Sequence, residues 1–289
     1  MIQLVYHNMV FSGGSFRSIT AIGCIKFLEE HNMMRDITTF IGTSAGSIIG
    51  LLATLGMSST EMILLIKELI NKDYIKDLDM SEVFNLFQTY GINSGTIIER
   101  FISEALTKKL GLGDISFLEL AKQTGKNLVV CVGNISKERE EFWSVDTTPA
   151  MSVIKAIRVS CSLPIIFTPV LHKGDLYVDG GIYNNFPIDF FKGSNFANVV
   201  GVHVRSLSNN KVDSIFSYMN RLLTSTMNVA CYKKTPNYLV DSVVCMDMED
   251  HVLFSYEDFK LNLTEETIDV YVEKGHNEAK KQLTKIIQK

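Results

Sequence analysis

The sequence predicts an α/β domain built around a parallel sheet. Three observations point there. Short β-type runs near the N-terminus each stop at glycine, each glycine turn opens an apolar segment of helical spacing, and the two kinds of segment alternate. Parallel strands need crossover connections, which are usually helices, so strand–turn–helix repeated twice marks such a sheet.

Taken in order, residues 4–11 are apolar, carry Val5, Tyr6, Val10 and Phe11, and read as a buried strand running into Gly13-Gly14. Residues 19–30 set Ile19, Ile22, Ile25, Phe27 and Leu28 near helical spacing, with Lys26, Glu29 and Glu30 outside. A second β-type run, 37–41, ends at Gly42, and 47–55 is apolar all round, as a buried helix would be. Residues 58–120 are helical by pattern, with loops at 90–95 and 111–114. Another buried strand is expected at 127–132, with 140–145 as its hairpin partner. Strands follow at 176–178 and 199–204, an amphipathic helix at 215–232 and a further strand at 238–246. Thr264 caps a last helix that has Glu265 and Glu266 in its first turn and lysines toward its end, matching the helix dipole. No repeat, low-complexity segment or linker interrupts the chain. One domain over 1–289 is expected, with its core motifs at about 4–205 and residues 206–289 packed on them.

Composition excludes several classes. The 289 residues are 46% hydrophobic and 21% charged, an ordinary globular balance. A net charge of −4 leaves no nucleic-acid footprint and argues against purely electrostatic attraction to anionic lipid. The first eleven residues lack the basic region and cleavage site of a secretory signal. The longest apolar stretch, 48–57, is broken by Gly50, Thr54 and Gly56 and falls short of the roughly 18 residues of a membrane span. Without a secretory route, the glycosylation-type triplets at Asn134 and Asn262 carry no weight. Cys24, Cys131, Cys161, Cys231 and Cys245 are scattered, with no C-x-x-C pair, and read as buried thiols. The expectation is a cytoplasmic protein, soluble or peripheral at membranes.

The sharpest local signal is Gly42-Thr43-Ser44-Ala45-Gly46, a G-x-S-x-G between a strand and a helix. Gly42 and Gly46 let backbone pass close to a strained serine turn, and the N–H of Ala45 at the helix N-terminus faces any oxyanion formed there. Read blandly, Ser44 is a glycine-flanked N-cap. The loop Ser12-Gly13-Gly14-Ser15-Phe16-Arg17-Ser18 presents free N–H groups to an anion, either a phosphate or a developing oxyanion. The nucleotide patterns G-x-G-x-x-G and G-x-x-x-x-G-K-[ST] both fail in it. Asp179-Gly180-Gly181 at a strand end is by itself a turn, but a serine nucleophile needs a base, and a tuned aspartate is one.

Together these segments resemble the patatin-like phospholipases: a Gly-rich oxyanion loop, then G-x-S-x-G, then a distal D-G-G. The run from Ala156 through Arg158, Ser160 and Pro164 resembles the family's A-x-R-A-S-x-x-x-P. Asp179 to Pro187 resembles its D-G-G-x-x-x-N-x-P, with Asn185 and Pro187 in place. The resemblance implies a three-layer α/β/α fold, a Ser44–Asp179 dyad and hydrolysis of phospholipid or other acyl-lipid, with contact at a membrane or micelle; no metal or cofactor is expected, since no H-E-x-x-H or similar ligand cluster occurs. Gly13, Gly14 and Ser15, with Ala45, then form the oxyanion hole, and Arg17, Gly180 and Gly181 support it. Ser15 and Ser18 stand where the family has glycines, which leaves open a weakly active or inactive lipid-binding protein on the same fold. A Ser-His-Asp esterase is the other alternative, since His203, His251 and His276 all follow Asp179; each of the three reads better as a core or surface histidine.

Overall fold

The computed structural model describes residues 5–71, 86–192, 198–207, 212, 215–234, 243–249 and 263–287. The first half follows the glycine punctuation. β1 (Asn8–Phe11) runs through a 3-10 turn (Ser15–Ile19) into α1 (Thr20–Glu30), and β2 (Thr39–Thr43) runs through Ser44 into α2 (Ala45–Thr54). The helical middle comprises α3 (Ser59–Asn71), the short α4 (Leu86–Thr89), α5 (Thr96–Leu110) and α6 (Phe117–Thr124). A three-residue strand β3 (Gly91–Asn93) interrupts it. α6 starts on a capping box between Ser116 and Glu119, which satisfies two first-turn donors.

The second half holds β4 (Asn127–Asn134), β5 (Arg139–Trp143), α7 (Val153–Ser160), β6 (Ile165–Phe167), β7 (Val170–His172) and β8 (Asp175–Asp179). One turn of helix, α8 (Gly181–Asn184), and a 3-10 turn (Pro187–Phe191) lead to β9 (Val199–Leu207). The chain then forms α9 (Ile215–Lys234), β10 (Val243–Glu249) and α10 (Glu265–Ile287). The expected strand at 238–246 begins outside the described residues and continues as β10. α7 has no counterpart in the sequence reading; Ser152 caps it by accepting from the Lys155 N–H.

The main sheet has the order β10-β9-β1-β2-β4-β8-β7, with β5 paired to β4. From β10 to β4 every pairing is parallel, while β8, β7 and β5 join antiparallel. Alternate residues of the parallel strands enter two different cores. Met9, Phe11, Phe40, Leu128, Val130, Val200 and Val202 face the larger one, with helices α1, α2, α3, α5, α6, α7 and α10. Val10, Ile41, Val129 and Val199 face the smaller one, with Phe186, Ile188, Phe191 and Cys231. This period-2 division into two buried faces makes a three-layer sandwich. The chain leaves β1 toward β2 and later returns to β1's other side as β9. That reversal opens a crevice at the carboxyl ends of the strands, where open α/β sheets bind ligands.

Candidate active site

Ser44 sits on that edge, in the turn between β2 and α2. Its φ of 53° and ψ of −132° lie where L-residues rarely go, so the serine is held under strain. Both flanking glycines are required by close approach. A Cβ on Gly42 would collide with the backbone of Gly46 and Ser47, and one on Gly46 would lie 2.5 Å from the Ser12 carbonyl oxygen. The Ser44 N–H donates to Ser160 Oγ (2.8 Å), which itself donates to the Cys131 carbonyl (2.7 Å). The Ser44 carbonyl accepts from the Ser47 N–H (2.8 Å) and hydroxyl (2.6 Å). The backbone of the serine is thus fixed from both sides. Ala45, in the first turn of α2, has an N–H with no helical acceptor.

Asp179 reaches the same place from two strands away. Thr43 of β2 pairs with Cys131 of β4, and the next residue of β4, Val132, pairs with Asp179 of β8. Ser44 and Asp179 are therefore level, with β4 between them. A Cβ on Gly180 would strike the Cys131 carbonyl, so the turn after Asp179 can hug β4 only as glycine. Asp179 is 1% exposed. Its Oδ1 accepts the Gly181 N–H (2.7 Å), and its Oδ2 is buried without a hydrogen-bond partner. Burial raises its pKa to about 7, against the pull of the Ser44 hydroxyl and then the Gly181 N–H. The Ser44 hydroxyl is thus close enough to act on the carboxylate, but not at hydrogen-bond geometry in this state.

The glycine-rich loop lies alongside. A Cβ on Gly13 would come within 3.2 Å of Ser44 Cβ. The Gly13 N–H, however, is not free for an anion: it donates to the Asn185 carbonyl at 2.9 Å. This corrects its place in the expected oxyanion hole, for one amide hydrogen cannot serve both acceptors at full strength. Gly14 and Ser15 have no acceptor for their N–H groups among the described residues. Arg17 braces the loop from within, its N–H and Nε both donating to the Gly14 carbonyl (3.1 and 3.2 Å). Ser15 adopts φ 53°, a left-handed conformation that favours glycine.

A family model described as patatin-like phospholipase matches residues 9–192, from β1 through the 3-10 turn after α8. The chain belongs to that family. Among curated relatives, the probable lipid hydrolase 463L of Invertebrate iridescent virus 6 is 28% identical over 89% of this chain and 88% of its own length. Lysophospholipase nte1 of Aspergillus fumigatus is 30% identical over 70% of this chain, which there occupies 12% of the relative. The crystal structure of VipD from Legionella pneumophila shares the fold, with a TM-score of 0.61 at 17% identity, covering 97% of this chain and 67% of its own.

In this patatin-like phospholipase several residues hold the site without an assignment legible in the sequence. Ser160 carries the Ser44 amide. Arg158, buried at the foot of α7, donates to the Ser94 and Thr168 carbonyls and to Ser162 Oγ (2.6 Å), while the Ser162 carbonyl accepts the Asp179 N–H. Asn185 clamps the glycine loop, its carbonyl on the Gly13 N–H and its Nδ2 donating to the Gly13 carbonyl (3.4 Å). The buried Cys161 thiol is raised above its ordinary range by burial and then by Asp179, against the hydroxyls of Ser47 and Ser44. It belongs to the wall of the site. His203 stacks on Phe186 and meets Cys231 Sγ at 3.4 Å, and burial holds its pKa down to about 4. His276 contacts Glu30 at 2.7 Å, and His251 lies outside the described residues.

Proposed function

We propose that the protein is a lipid acyl hydrolase of phospholipase A type that cleaves fatty-acyl esters with Ser44 as nucleophile and Asp179 as its base. One observation carries the reading: a strained serine at a strand-to-helix turn lies level with a fully buried carboxylate whose pKa is about 7. A base tuned near neutrality combines a useful ionised fraction with real proton affinity, whereas an ordinary aspartate has little of the latter. Family membership and the lipid hydrolase among the relatives support the same substrate class.

In the proposed cycle, Asp179 takes the Ser44 hydroxyl proton as Oγ attacks the ester carbonyl. The N–H groups of Gly14, Ser15 and Ala45 receive the oxyanion. Collapse breaks the ester bond, and the leaving alcohol or lysophospholipid takes the proton from Asp179. Water, deprotonated by Asp179, then attacks the acyl group on Ser44. The fatty acid departs and Oγ recovers its proton. Removing one oxyanion donor from such a site costs about 10²–10³ in rate.

The test is a panel of phospholipid and lysophospholipid esters offered to wild type and Ser44→Ala, with fluorophosphonate labelling followed by mass spectrometry. The expected result is release of fatty acid by wild type alone and a single adduct on Ser44. An adduct on another residue, or undiminished release by Ser44→Ala, overturns the assignment.

A further inference from the structure

We propose that the outward face of α9 is the surface on which the molecule seats on lipid, beside the site just described; the proposal rests on the lipid-hydrolase reading. Helices on a domain surface ordinarily turn apolar residues inward. α9 reverses this. Ile215, Tyr218, Met219, Leu222 and Val229 are 65, 50, 37, 51 and 52% exposed. Their spacing puts all five on one stripe about 100° wide at 3.6 residues per turn. On the opposite face Ser217 and Cys231 are buried. Phe190, on the 3-10 turn that packs against α9, is exposed as well.

Position ties this stripe to the chemistry. Met227, on the inner side of α9, lies against Gly181, whose N–H holds Asp179. A flat surface meeting the stripe would thus meet the molecule one helix diameter, about 10 Å, from the carboxylate. An acyl chain leaving such a surface has a short path to Ser44.

Charge chooses the occupant. Over residues 215–234 the sequence contains Arg221, Lys233 and Lys234 and no acid, within a chain of net charge −4. A second copy seated on the same stripe would bring two such basic helices together. A surface of phosphate headgroups over acyl chains buries the apolar stripe and meets a helix whose sequence carries no acid to repel it, as interfacial helices do.

Flotation with extruded vesicles of phosphatidylcholine and phosphatidylglycerol tests this, using Ser44→Ala protein so that the vesicles survive. Leu222→Glu and Leu222→Gln, each checked for an unchanged melting transition, should lower the partition coefficient at least tenfold and at least threefold. Leu64→Glu, on α3 across the sheet, removes an equally exposed leucine and should leave partition unchanged. Partition of both Leu222 variants equal to their parent overturns the proposal, as does a dimer at sedimentation equilibrium that Leu222→Glu dissociates. Hydrolysis of a water-soluble short-chain ester by the protein with Ser44 intact separates the two readings. Turnover without vesicle binding removes the docking surface alone, and vesicle binding without turnover removes the hydrolase reading alone.

Discussion

Asp179→Asn separates the chemistry of the site from its effect on stability. The amide is isosteric but cannot take the serine proton, so turnover should fall by at least 10³-fold while the fold persists. Stability should change in a way that depends on pH. The carboxyl is raised from 3.8 to about 7 in the folded protein, so between these values the native state binds a proton that the unfolded chain does not. Stability conferred by that proton is complete below the unfolded pKa and is lost as pH rises through about 7. The whole difference amounts to about 4 kcal/mol, of which roughly 2–3 kcal/mol falls between pH 5 and pH 8. The asparagine has no such term. It adds a fixed cost, because the amide nitrogen at the Oδ2 position enters a buried spot that offers no partner. Melting curves of both proteins at the two pH values cancel that fixed cost. The variant's stability relative to wild type should rise by roughly 2–3 kcal/mol toward pH 8, or about 5 °C in Tm. A difference that stays flat would mean that Asp179 is not the raised carboxyl, and the argument for it as base would fail with it. The same ionisation should govern wild-type kcat/KM, which should rise with pH through about 7 and then level off.

Three further outcomes are expected. Ser160→Ala leaves the Ser44 amide without its acceptor; kcat should drop tenfold or more with KM within twofold, and a normal kcat would remove Ser160 from the positioning of the nucleophile. Both serines with positive φ gain from glycine but differ in consequence: Ser44→Gly should raise stability by about 1 kcal/mol and abolish turnover, while Ser15→Gly should be at least as stable as wild type and keep or increase turnover, as denaturation midpoints and fatty-acid release will report. Every catalytic group in the proposed cycle belongs to the chain, so excess chelator should leave hydrolysis within about twofold, well under the tenfold that about 1.4 kcal/mol represents; loss restored by calcium would refute the dyad.

The parts of the fold read from sequence are those where local chemistry is unambiguous. Glycines after 11 and before 43 mark β1 and β2, and the all-apolar run after Ser44 marks α2, because a buried parallel strand and a buried helix differ in length and punctuation. Expected strand limits shift by one to four residues, as at 140–145 against Arg139–Trp143 and 4–11 against Asn8–Phe11. β3, β6 and β7 are three residues each, too short for any periodicity to declare itself. α7 was hidden because only eight residues carry it and Arg158, a buried cation, breaks the apolar face. At the site, Ser44 was legible from residue type and spacing, while Asp179 and the glycine loop took their roles from the family resemblance. The loss of the Gly13 N–H was not legible, since its acceptor, Asn185, is 172 residues away in the chain. The roles of Ser160 and Asn185 are equally invisible without tertiary contacts. The outward stripe on α9 was misdirected by its own pattern: amphipathicity reports that a helix has two faces, not which one the protein covers.

The separation between Ser44 and Asp179 is set by β4, a strand that contributes neither group. β4 acts as a spacer, and a spacer is demanding in a particular way. Exchanging Val130 or Val132 for another apolar side chain of similar volume changes the packing slightly and leaves the ruler unaltered. Inserting one residue between Val129 and Val132 would leave the composition almost the same, yet would turn the paired β8 over, sending the carboxylate to the other face of the sheet. This stretch of chain is therefore permissive about what it is made of and strict about how many residues it has.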